Sequence, residues 1–283
     1  MVRILAQWAG SDPAGLGEER VREFFLHLLR DRRYAPKSAR GARAALIYFF
    51  TEMLGVQGWK VFSHIRTRNR EQLPVVLSRE EVRCILKAVK EPRFGVALRL
   101  IYLCGLRLSE CLHIEVHDIE RKEQRLHIRE GKGGKDRYVP LPQAAIEDLT
   151  QWWKWHRHPR FLFPAMDSSW RAGRRWAQEP GEQEVAQVRL HRAAHPMSTS
   201  TLQRAWRLAR AASGVKKPAT IHTLRHSYAT HLMEEGVSLR YISQYLGHAS
   251  LQQTLVYAHL TSVSEAQTQQ ALARLAAGLA AKA

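Results

Sequence analysis

Tyr257 is preceded along the chain by residues of the types that bind and activate a phosphate group. His248 lies nine positions before it, His222 and Arg225 share an earlier segment, and Arg107 stands much nearer the N-terminus. Arginine offers a planar, permanently charged pair of donors to phosphate oxygens, and histidine can hold or move a proton near neutral pH. A tyrosine among such groups can attack phosphorus. The set therefore indicates a site that cleaves a phosphodiester and keeps it covalently on tyrosine.

Other charged residues have roles that the sequence leaves open. Glu110 stands three positions after Arg107 and could orient its guanidinium. Lys132 or Lys135, in a glycine-rich turn, could donate a proton to a departing 5′ oxygen. Each role has a plain structural alternative, because surface arginines, solvated hairpin tips and tyrosines packed in helices are common. The set as a whole favours the catalytic interpretation more than any single residue does.

A zinc site is a weaker interpretation of the histidines. His222, His226 and His231 are spaced so that the first two share a helix face. No acidic residue occupies the position that a His-Glu-x-x-His motif requires, and no further ligand is obvious. We therefore do not expect a zinc site at these histidines.

The charge of the chain favours a polyanionic partner. Its 283 residues carry 44 Lys and Arg against 26 Asp and Glu, a formal net charge of +18. Such an excess promotes nucleic-acid binding, although an anionic membrane surface would also attract it. No apolar run approaches the roughly 20 residues of a transmembrane helix, and no signal peptide is evident. Because Cys84, Cys104 and Cys111 are odd in number and lie in apolar contexts, we expect reduced cysteines and a cytoplasmic protein.

Residues 16–56 predict a first helical unit. Apolar residues recur at helical spacing in two stripes that break at 34–37, so two helices joined by a turn are expected. Basic residues cluster around that turn, where contact with DNA phosphates and a solvated helix surface are equally compatible with the pattern. This basic cluster comprises Arg30, Arg32, Arg33, Lys37, Arg40 and Arg43.

A second unit is expected to begin at Ser78, which has capping-box spacing to Glu81. Helices are predicted over 79–90 and 94–104, and a β-hairpin is predicted around the glycine turn 131–134. After the hairpin the pattern is helical almost to the end of the chain. The second unit is therefore predicted to be helical around a small sheet.

Two stretches depart from a simple pattern. Residues 152–176 hold five of the eight tryptophans, interleaved with basic residues. Such residues can stack on bases, but Trp152, Trp153 and Trp155 have helical spacing and are predicted to lie in the core. Residues 165–197 lack a clear period and indicate a surface insertion.

Four blocks of the chain resemble the tyrosine recombinases, the integrase family of site-specific DNA recombinases. The blocks are 105–110, 131–137, 222–231 and 246–259, within a match from about residue 20 to 260, and they are closest to the bacterial Xer-like and integron-integrase patterns. The resemblance assigns the catalytic roles to Arg107, Lys132, His222, Arg225, His248 and Tyr257, with Glu110 in support. Lys135 and Arg137, in the same basic hairpin as Lys132, are predicted to contact DNA together with the basic cluster.

The resemblance also implies the architecture. We expect a mainly α-helical (α+β) fold with a small antiparallel β-sheet, formed by a helical SAM-like core-binding domain and a tyrosine-recombinase catalytic domain. The expected boundaries are 1–70 for the first domain, 71–77 for a linker, 78–264 for the catalytic domain with its insertion at 165–197, and 265–283 for a C-terminal helix or tail.

The activity implied by the resemblance is site-specific DNA recombination or integration. Family members cleave one strand at a time through a 3′-phosphotyrosine, without metal or ATP. The implied partners are double-stranded DNA at a recombination site and three further copies of the chain, giving a homo-tetramer on DNA and a monomer or dimer when free. Membrane contact is not expected.

The chain departs from the family pattern in two places. Its first domain looks N-terminally truncated, with Arg3 to Trp8 as the end of the family's first helix, and its insertion is longer than Xer-type enzymes carry. Trp170 or Trp176 could contact extrahelical bases, as an added segment of integron integrases does. Residues 264–281 could form a helix that docks on a neighbouring subunit, or a frayed tail.

Two other functions share some of these features. A type IB topoisomerase would use the same tyrosine chemistry to relax supercoils without paired sites, although the Leu-Gly-His block before Tyr257 favours a recombinase. A DNA-binding protein derived from an integrase, without efficient recombination, is the second alternative. All six catalytic positions are filled, which argues against simple decay of the site.

Overall fold

A computed structural model describes residues 1–64, 73–129, 136–166, 180–248 and 250–258. The chain divides into two compact units between Gln72 and Leu73, inside the segment that the sequence predicts as a linker. The described residues are mainly helical and include one small antiparallel sheet, which confirms the predicted fold class. The predicted C-terminal helix at 264–281 lies outside the described residues.

The first unit is built from helices packed around an aromatic core. The helices are α1 (Val2–Ala9), α2 (Glu18–Arg30), α3 (Pro36–Ile47), which continues as a π-helical segment (Tyr48–Met53), and α4 (Val61–His64). Phe24, Phe25 and Leu28 on α2 and Leu46 and Phe50 on the α3 stretch are buried, because apolar residues at helical spacing share one face. The two predicted helices and the turn between them are confirmed.

The second unit contains most of the helices and the sheet. Its helices are α5 (Arg79–Lys87), α6 (Pro92–Cys104), α7 (Leu108–Leu112), α8 (Gln143–His156), α9 (Pro180–His191), α10 (Thr199–Ala212), α11 (Ile221–Glu234), α12 (Leu239–Leu246) and α13 (Gln252–Ala258). The predicted capping box forms at the start of α5, where Ser78 Oγ accepts from the Glu81 N–H at 3.1 Å and Glu81 Oε2 accepts from the Ser78 N–H at 2.7 Å.

The predicted hairpin is the antiparallel pair of β2 and β3 in a three-stranded sheet. The strands are β1 (Ile119–Glu120), β2 (Arg125–Ile128) and β3 (Arg137–Pro140), in the order β1-β2-β3. Leu126 pairs with Val139 and both are buried, while Tyr138 faces outward, as alternation along a strand requires. The predicted glycine turn, with Lys132 and Lys135, lies outside the described residues.

Helices α6 and α11 form the centre of the second unit. Both are buried around most of their circumference, and α6 packs on α11 and α8. On α11, Ser227 Oγ accepts a hydrogen bond of 2.9 Å from the Leu77 N–H, a contact that spans 150 residues of sequence. A helix packed around most of its circumference gives its buried side chains fixed positions.

Two glycines end helices that approach α11. Gly105 ends α6 with φ +61°, and Gly247 ends α12 with φ +60°, the left-handed conformation that favours glycine. A Cβ at Gly105 would lie 2.4 Å from the Tyr228 ring and 3.1 Å from Leu246. The end of α6 is therefore pressed against α11 and α12, and this close approach brings backbone carbonyls toward the interior.

The tryptophan-rich stretch and the insertion differ in part from expectation. Trp152 is buried in the core and donates to the Leu162 carbonyl, whereas Trp153 and Trp155 are only partly buried. The segment 165–197 is not an irregular insertion throughout, because it includes α9, whose Ala186 and Leu190 are fully buried. The helical period was missed because only a few apolar positions of α9 face the core. Trp170 and Trp176 lie outside the described residues.

Two expectations drawn from composition concern the cysteines and membranes. Cys84, Cys104 and Cys111 are all free. Burial raises the pKa of Cys104 to about 12, so its thiol stays protonated and packs as an apolar group. Within the described ranges, no helix combines the length and the apolar character that crossing a bilayer demands.

The junction at Gly105 is expected to be intolerant of even one added methyl group. We predict that Gly105→Ala lowers the free energy of unfolding by about 2–4 kcal/mol, from the left-handed backbone and the contact with Tyr228. Gly214→Ala is the matched control, because Gly214 has φ +75° but nothing within 4 Å of its added Cβ, so only the backbone cost of about 1–2 kcal/mol applies. Denaturant titration measures both, and equal losses would contradict the packing argument.

Candidate active site

Five of the six residues that the motifs select lie close together where α6, α11, α12 and α13 meet. Lys132, the sixth, lies outside the described residues. Arg107 immediately precedes α7, and Arg225 lies on α11 with its side chain 2% exposed. His222 also lies on α11, His248 follows α12 and Tyr257 is on α13. Residues separated by up to 150 positions in sequence thus share one site.

Arg225 is held by the ends of two helices. Its Nη1 donates to the Gly105 carbonyl at 2.7 Å, and its Nη2 donates to the Leu246 carbonyl at 2.5 Å. These are C-terminal carbonyls of α6 and α12, which carry partial negative charge. Burial, and then the charge of the neighbouring Arg107, lowers the pKa of Arg225 to about 10, against the opposing charge of Glu110. The guanidinium is therefore still charged at neutral pH and is fixed in orientation.

Glu110 is the carboxylate around which three arginines converge. Its oxygens accept from Arg107 Nη1 at 2.5 Å and from both terminal nitrogens of Arg137, at 3.0 and 2.8 Å. Arg225 Nη1 lies 3.8 Å away. Burial alone would raise the pKa of Glu110, but hydrogen bonds and charge from Arg137 and Arg107 outweigh it and hold the pKa at about 2. Glu110 is thus ionised, and it orients Arg107 as the sequence suggests.

Arg137 occupies a position different from the one expected for a DNA contact. Its side chain is 8% exposed, forms the two bonds to Glu110 and donates through Nε to the Tyr245 carbonyl at 2.8 Å. It also packs on Gly247, where a Cβ would lie 3.0 Å from Arg137 Cδ. The alternation of side chains along β3 could have predicted this inward position. Arg137 and the buried Val139 are two residues apart, so both lie on the inward face of the strand.

The hydroxyl of Tyr257 lies inside the domain beside a histidine. Tyr257 is 2% exposed, and its hydroxyl is 2.8 Å from Nδ1 of His226. The ring of His248 stacks near it with centroids 6.4 Å apart. Burial raises the pKa of Tyr257, while the charges of Arg225 and Arg107 lower it without cancelling the effect of burial. The phenol is therefore protonated at neutral pH, next to two cations that would stabilise its anion.

The histidines around Tyr257 are held in different ways. Nδ1 of His248 is 2.7 Å from Thr254 Oγ1, and burial together with Arg225 lowers the pKa of His248 to about 4. His222 is exposed, and its ring meets that of His226 edge-on at 4.5 Å. Burial, then the charge of His222, lowers the pKa of His226 to about 4. His226 and His248 are therefore neutral near pH 7.

His226 was missed as a partner of the tyrosine by sequence reasoning, which considered it only as a zinc ligand. Its spacing from His222 placed the two on one helix face but gave no sign that Tyr257 packs against that face. The third member of the proposed ligand set, His231, bonds instead to the Tyr102 hydroxyl at 2.8 Å. Among the residues that the structure describes, no group of three or more potential ligands is arranged to hold a metal ion.

The basic cluster of the first unit is mostly on the surface. Arg30, Arg32, Arg33, Lys37 and Arg40 are exposed, as a phosphate-binding face requires. Arg43 is half-buried and donates through Nε to the Phe62 carbonyl, so it helps to hold α4 against α3. Lys135, predicted to act with this cluster, lies outside the described residues.

Arg137 is expected to stabilise the second unit. We predict that Arg137→Met lowers the free energy of unfolding by about 3–5 kcal/mol, because it removes two bonds from a buried carboxylate. Arg40→Met, on the exposed cluster, should change stability by less than about 0.5 kcal/mol. Denaturant titration of both variants, with DNA affinity at two salt concentrations, checks this. A loss of affinity without loss of stability in Arg137→Met would restore the DNA-contact interpretation.

The Glu110 carboxylate predicts a pH dependence of stability. The pKa of Glu110 is about 2 in the folded protein, below the ordinary 4.5. The ionised carboxylate therefore contributes fully to the free energy of unfolding above pH 4.5, and this contribution is lost as the pH falls from 4.5 through 2. We predict that Glu110→Gln is less stable than the parent by about 3–5 kcal/mol at pH 7 and that the gap narrows toward pH 2. Stability measured across this range tests it, and a gap independent of pH would exclude the ionised carboxylate as its cause.

The arrangement can hold a phosphate in front of a tyrosine. Arg107 and Arg225 stand beside the phenol, and the three arginines outnumber the Glu110 carboxylate, so the site keeps a net positive charge. A phosphodiester would supply the missing negative charge and accept charge-assisted bonds from the guanidinium forks. Nucleophilic attack by a phenolate is the chemistry that such a site supports.

Comparison with known proteins identifies the family of the chain. The phage integrase family matches residues 75–263, and the phage integrase N-terminal SAM-like domain matches residues 1–58. An integrase/recombinase of Escherichia coli is 33% identical over 90% of this chain and 80% of its own length. Tyrosine recombinase XerA of Pyrococcus furiosus is 29% identical over 84% of this chain and 75% of its own length.

Solved structures share the fold. XerH site-specific recombinase bound to its palindromic difH substrate superposes with a TM-score of 0.66 at 20% identity, covering 91% of this chain and 72% of that one. A lambda integrase dimer bound to a COC′ core site superposes with a TM-score of 0.64 at 19% identity, covering 86% of this chain and 80% of that one. On the strength of the matched domains and relatives, the chain belongs to the phage integrase family and is a tyrosine-type site-specific recombinase.

Proposed function

We propose that this recombinase cleaves and rejoins DNA through a covalent 3′-phosphotyrosine on Tyr257. The observation that carries the proposal is the placement of the Tyr257 hydroxyl beside buried, charged Arg225 and the adjacent Arg107. Phenol oxygen attacks the scissile phosphorus, the bond to the 5′ oxygen breaks, and the energy of that bond is kept in the phosphotyrosine. A free 5′-hydroxyl can then reverse the step on the same or another strand.

The arginines and histidines divide the work by their chemistry. Arg107 and Arg225 hold the non-bridging oxygens and stabilise the extra negative charge that develops as the nucleophile arrives. His222 and His248 supply hydrogen bonds to the phosphate, since an imidazole N–H can donate to a phosphate oxygen. Lys132 is the proposed donor to the leaving 5′ oxygen, on the basis of its motif alone.

The substrate in this proposal is double-stranded DNA carrying a specific recombination site. The exposed basic cluster of the first unit supplies phosphate contacts, and the net charge of +18 supports binding that weakens with salt. Recombination exchanges strands between two duplexes, so we propose a homo-tetramer on DNA that is a monomer or dimer when free. A lambda integrase tetramer bound to a Holliday junction, with a TM-score of 0.62 to this chain, offers a precedent for the assembly.

The domain assignment follows the same reasoning. We propose residues 1–70 as the core-binding domain and 78–264 as the catalytic domain. The division of the chain between Gln72 and Leu73 and the family matches over 1–58 and 75–263 support these boundaries. Both domains would contribute basic residues to the DNA contact, while the chemistry would belong to the second.

The covalent intermediate is tested with a nicked suicide duplex. A cognate site is first selected from a random DNA pool by binding to the protein. We predict that the parent protein forms a denaturation-resistant adduct on this duplex, and that Tyr257→Phe forms none while binding the site with unchanged affinity, because only the nucleophilic oxygen is lost. Gel electrophoresis of the labelled strand measures the adduct.

The outcomes of this assay separate the alternatives. Site binding by the parent without an adduct would replace the proposal with a DNA-binding protein that lacks recombination. An adduct accompanied by relaxation of a plasmid without a site would indicate type IB topoisomerase activity. An adduct that persists in Tyr257→Phe would show that another residue is the nucleophile.

A further inference from the structure

The Tyr257 hydroxyl lies within hydrogen-bond distance of a histidine outside the motif set. Nδ1 of His226 lies 2.8 Å from the Tyr257 hydroxyl, within ordinary hydrogen-bond distance. Nδ1 of His248 is engaged by Thr254 at 2.7 Å, and the His248 ring lies nearly parallel to that of Tyr257 at 6.4 Å. His222 is exposed, and its ring meets that of His226 edge-on at 4.5 Å.

The surroundings of His226 make it a neutral acceptor. Among the described residues, its charged and titratable neighbours include His222 and Arg225 on its own helix, Tyr257 on α13 and His248 after α12. Burial, followed by the charges of His222 and Arg225, lowers the pKa of His226. A neutral imidazole has one unprotonated nitrogen. The buried phenol keeps its proton at neutral pH, so the pair suits an O–H donor facing an imidazole acceptor.

A bound phosphate would change the balance within this pair. Its negative charge would favour an imidazolium at His226, while Arg107 and Arg225 favour the phenolate of Tyr257. Both effects lower the cost of moving the proton from oxygen to nitrogen at the moment when the oxygen is needed as a nucleophile. The fold thus prepares the transfer, and the substrate would complete it.

We propose that His226 is the proton acceptor for Tyr257 in strand cleavage, an inference that rests on the proposed function and names one further catalytic residue for it. The Oη–H bond breaks and its proton passes to Nδ1 of His226. The freed electron pair of Oη forms the bond to phosphorus, and the bond from phosphorus to the 5′ oxygen breaks. That oxygen leaves as a 5′-hydroxyl after taking a proton from a separate acid, and rejoining returns the proton from His226 to Tyr257.

Two substitutions separate proton acceptance from positioning. His226→Asn keeps an acceptor oxygen near the place of Nδ1 but is not basic, and His226→Phe keeps the ring without an acceptor. The matched control is His231→Asn, on the same helix, whose histidine bonds to Tyr102. Adduct formation on the nicked suicide duplex is measured in a single turnover from pH 5 to 9, and only variants with parental DNA affinity and a parental thermal transition are compared.

We expect both His226 variants to form the adduct about 100 to 10,000 times more slowly than the parent at pH 7. The rates of the His226 variants should rise about tenfold per pH unit, because more phenolate forms as the pH rises. The parental rate should instead level off within the range from pH 5 to 9, and the rate of His231→Asn should show the same pH profile as the parent. A second substrate with a 5′-bridging sulfur, whose thiolate leaves without an acid, should leave the variants equally slow relative to the parent. That result would place the defect at the nucleophile.

Each other result overturns the inference. A His226→Asn variant with the parental rate and pH profile would reduce His226 to a positioning residue. Faster cleavage by His226→Phe would show that the hydrogen bond between His226 and Tyr257 inhibits attack by the tyrosine. Rescue by the 5′-sulfur substrate would assign His226 to the leaving group. Absence of an adduct from the parent protein would instead overturn the proposed function, which keeps the two failures distinct.

Discussion

The buried carboxylate of Glu110 is the interaction on which the site depends, because three guanidiniums converge on it. The positively charged guanidiniums repel one another when they lie this close to the same carboxylate, and burial removes the water that would screen the repulsion. One carboxylate with bonds to Arg107 and Arg137, and with Arg225 at 3.8 Å, makes the cluster tolerable without neutralising it. The remaining positive charge is what a phosphodiester would meet in the proposed reaction.

Helix ends supply the rest of the compensation. Carbonyls at the C-termini of α6 and α12 accept from Arg225, Arg107 and Arg137, so the partial negative charge of two helix ends faces the arginines. Both helices end at a glycine in the left-handed conformation, which turns the chain away while its last carbonyls still point inward. Backbone geometry and electrostatics are therefore coupled at Gly105 and Gly247.

The sequence predicted most of the elements and several of the neighbours. The capping box at Ser78, the hairpin and the helices around Gly105 follow from local spacing, which acts within one or two turns of chain. Arg137 illustrates the limit, since a basic residue in a hairpin motif suggested a DNA contact and the fold turned it onto Glu110. Helix α9 was missed for a related reason, because it buries few of its side chains and shows a weak period.

The sequence by itself determined which residue types stand in which order along the chain. That order was enough to identify the resemblance to the family and to indicate cleavage of a phosphodiester. Only the tertiary structure decided which nitrogen lies 2.8 Å from the Tyr257 hydroxyl, and that Arg137 forms an ion pair with the buried Glu110. The physical reason is that spacing along a helix fixes neighbours on that helix alone. The pairing of His226 with Tyr257, 31 residues apart, depends on how α11 and α13 pack.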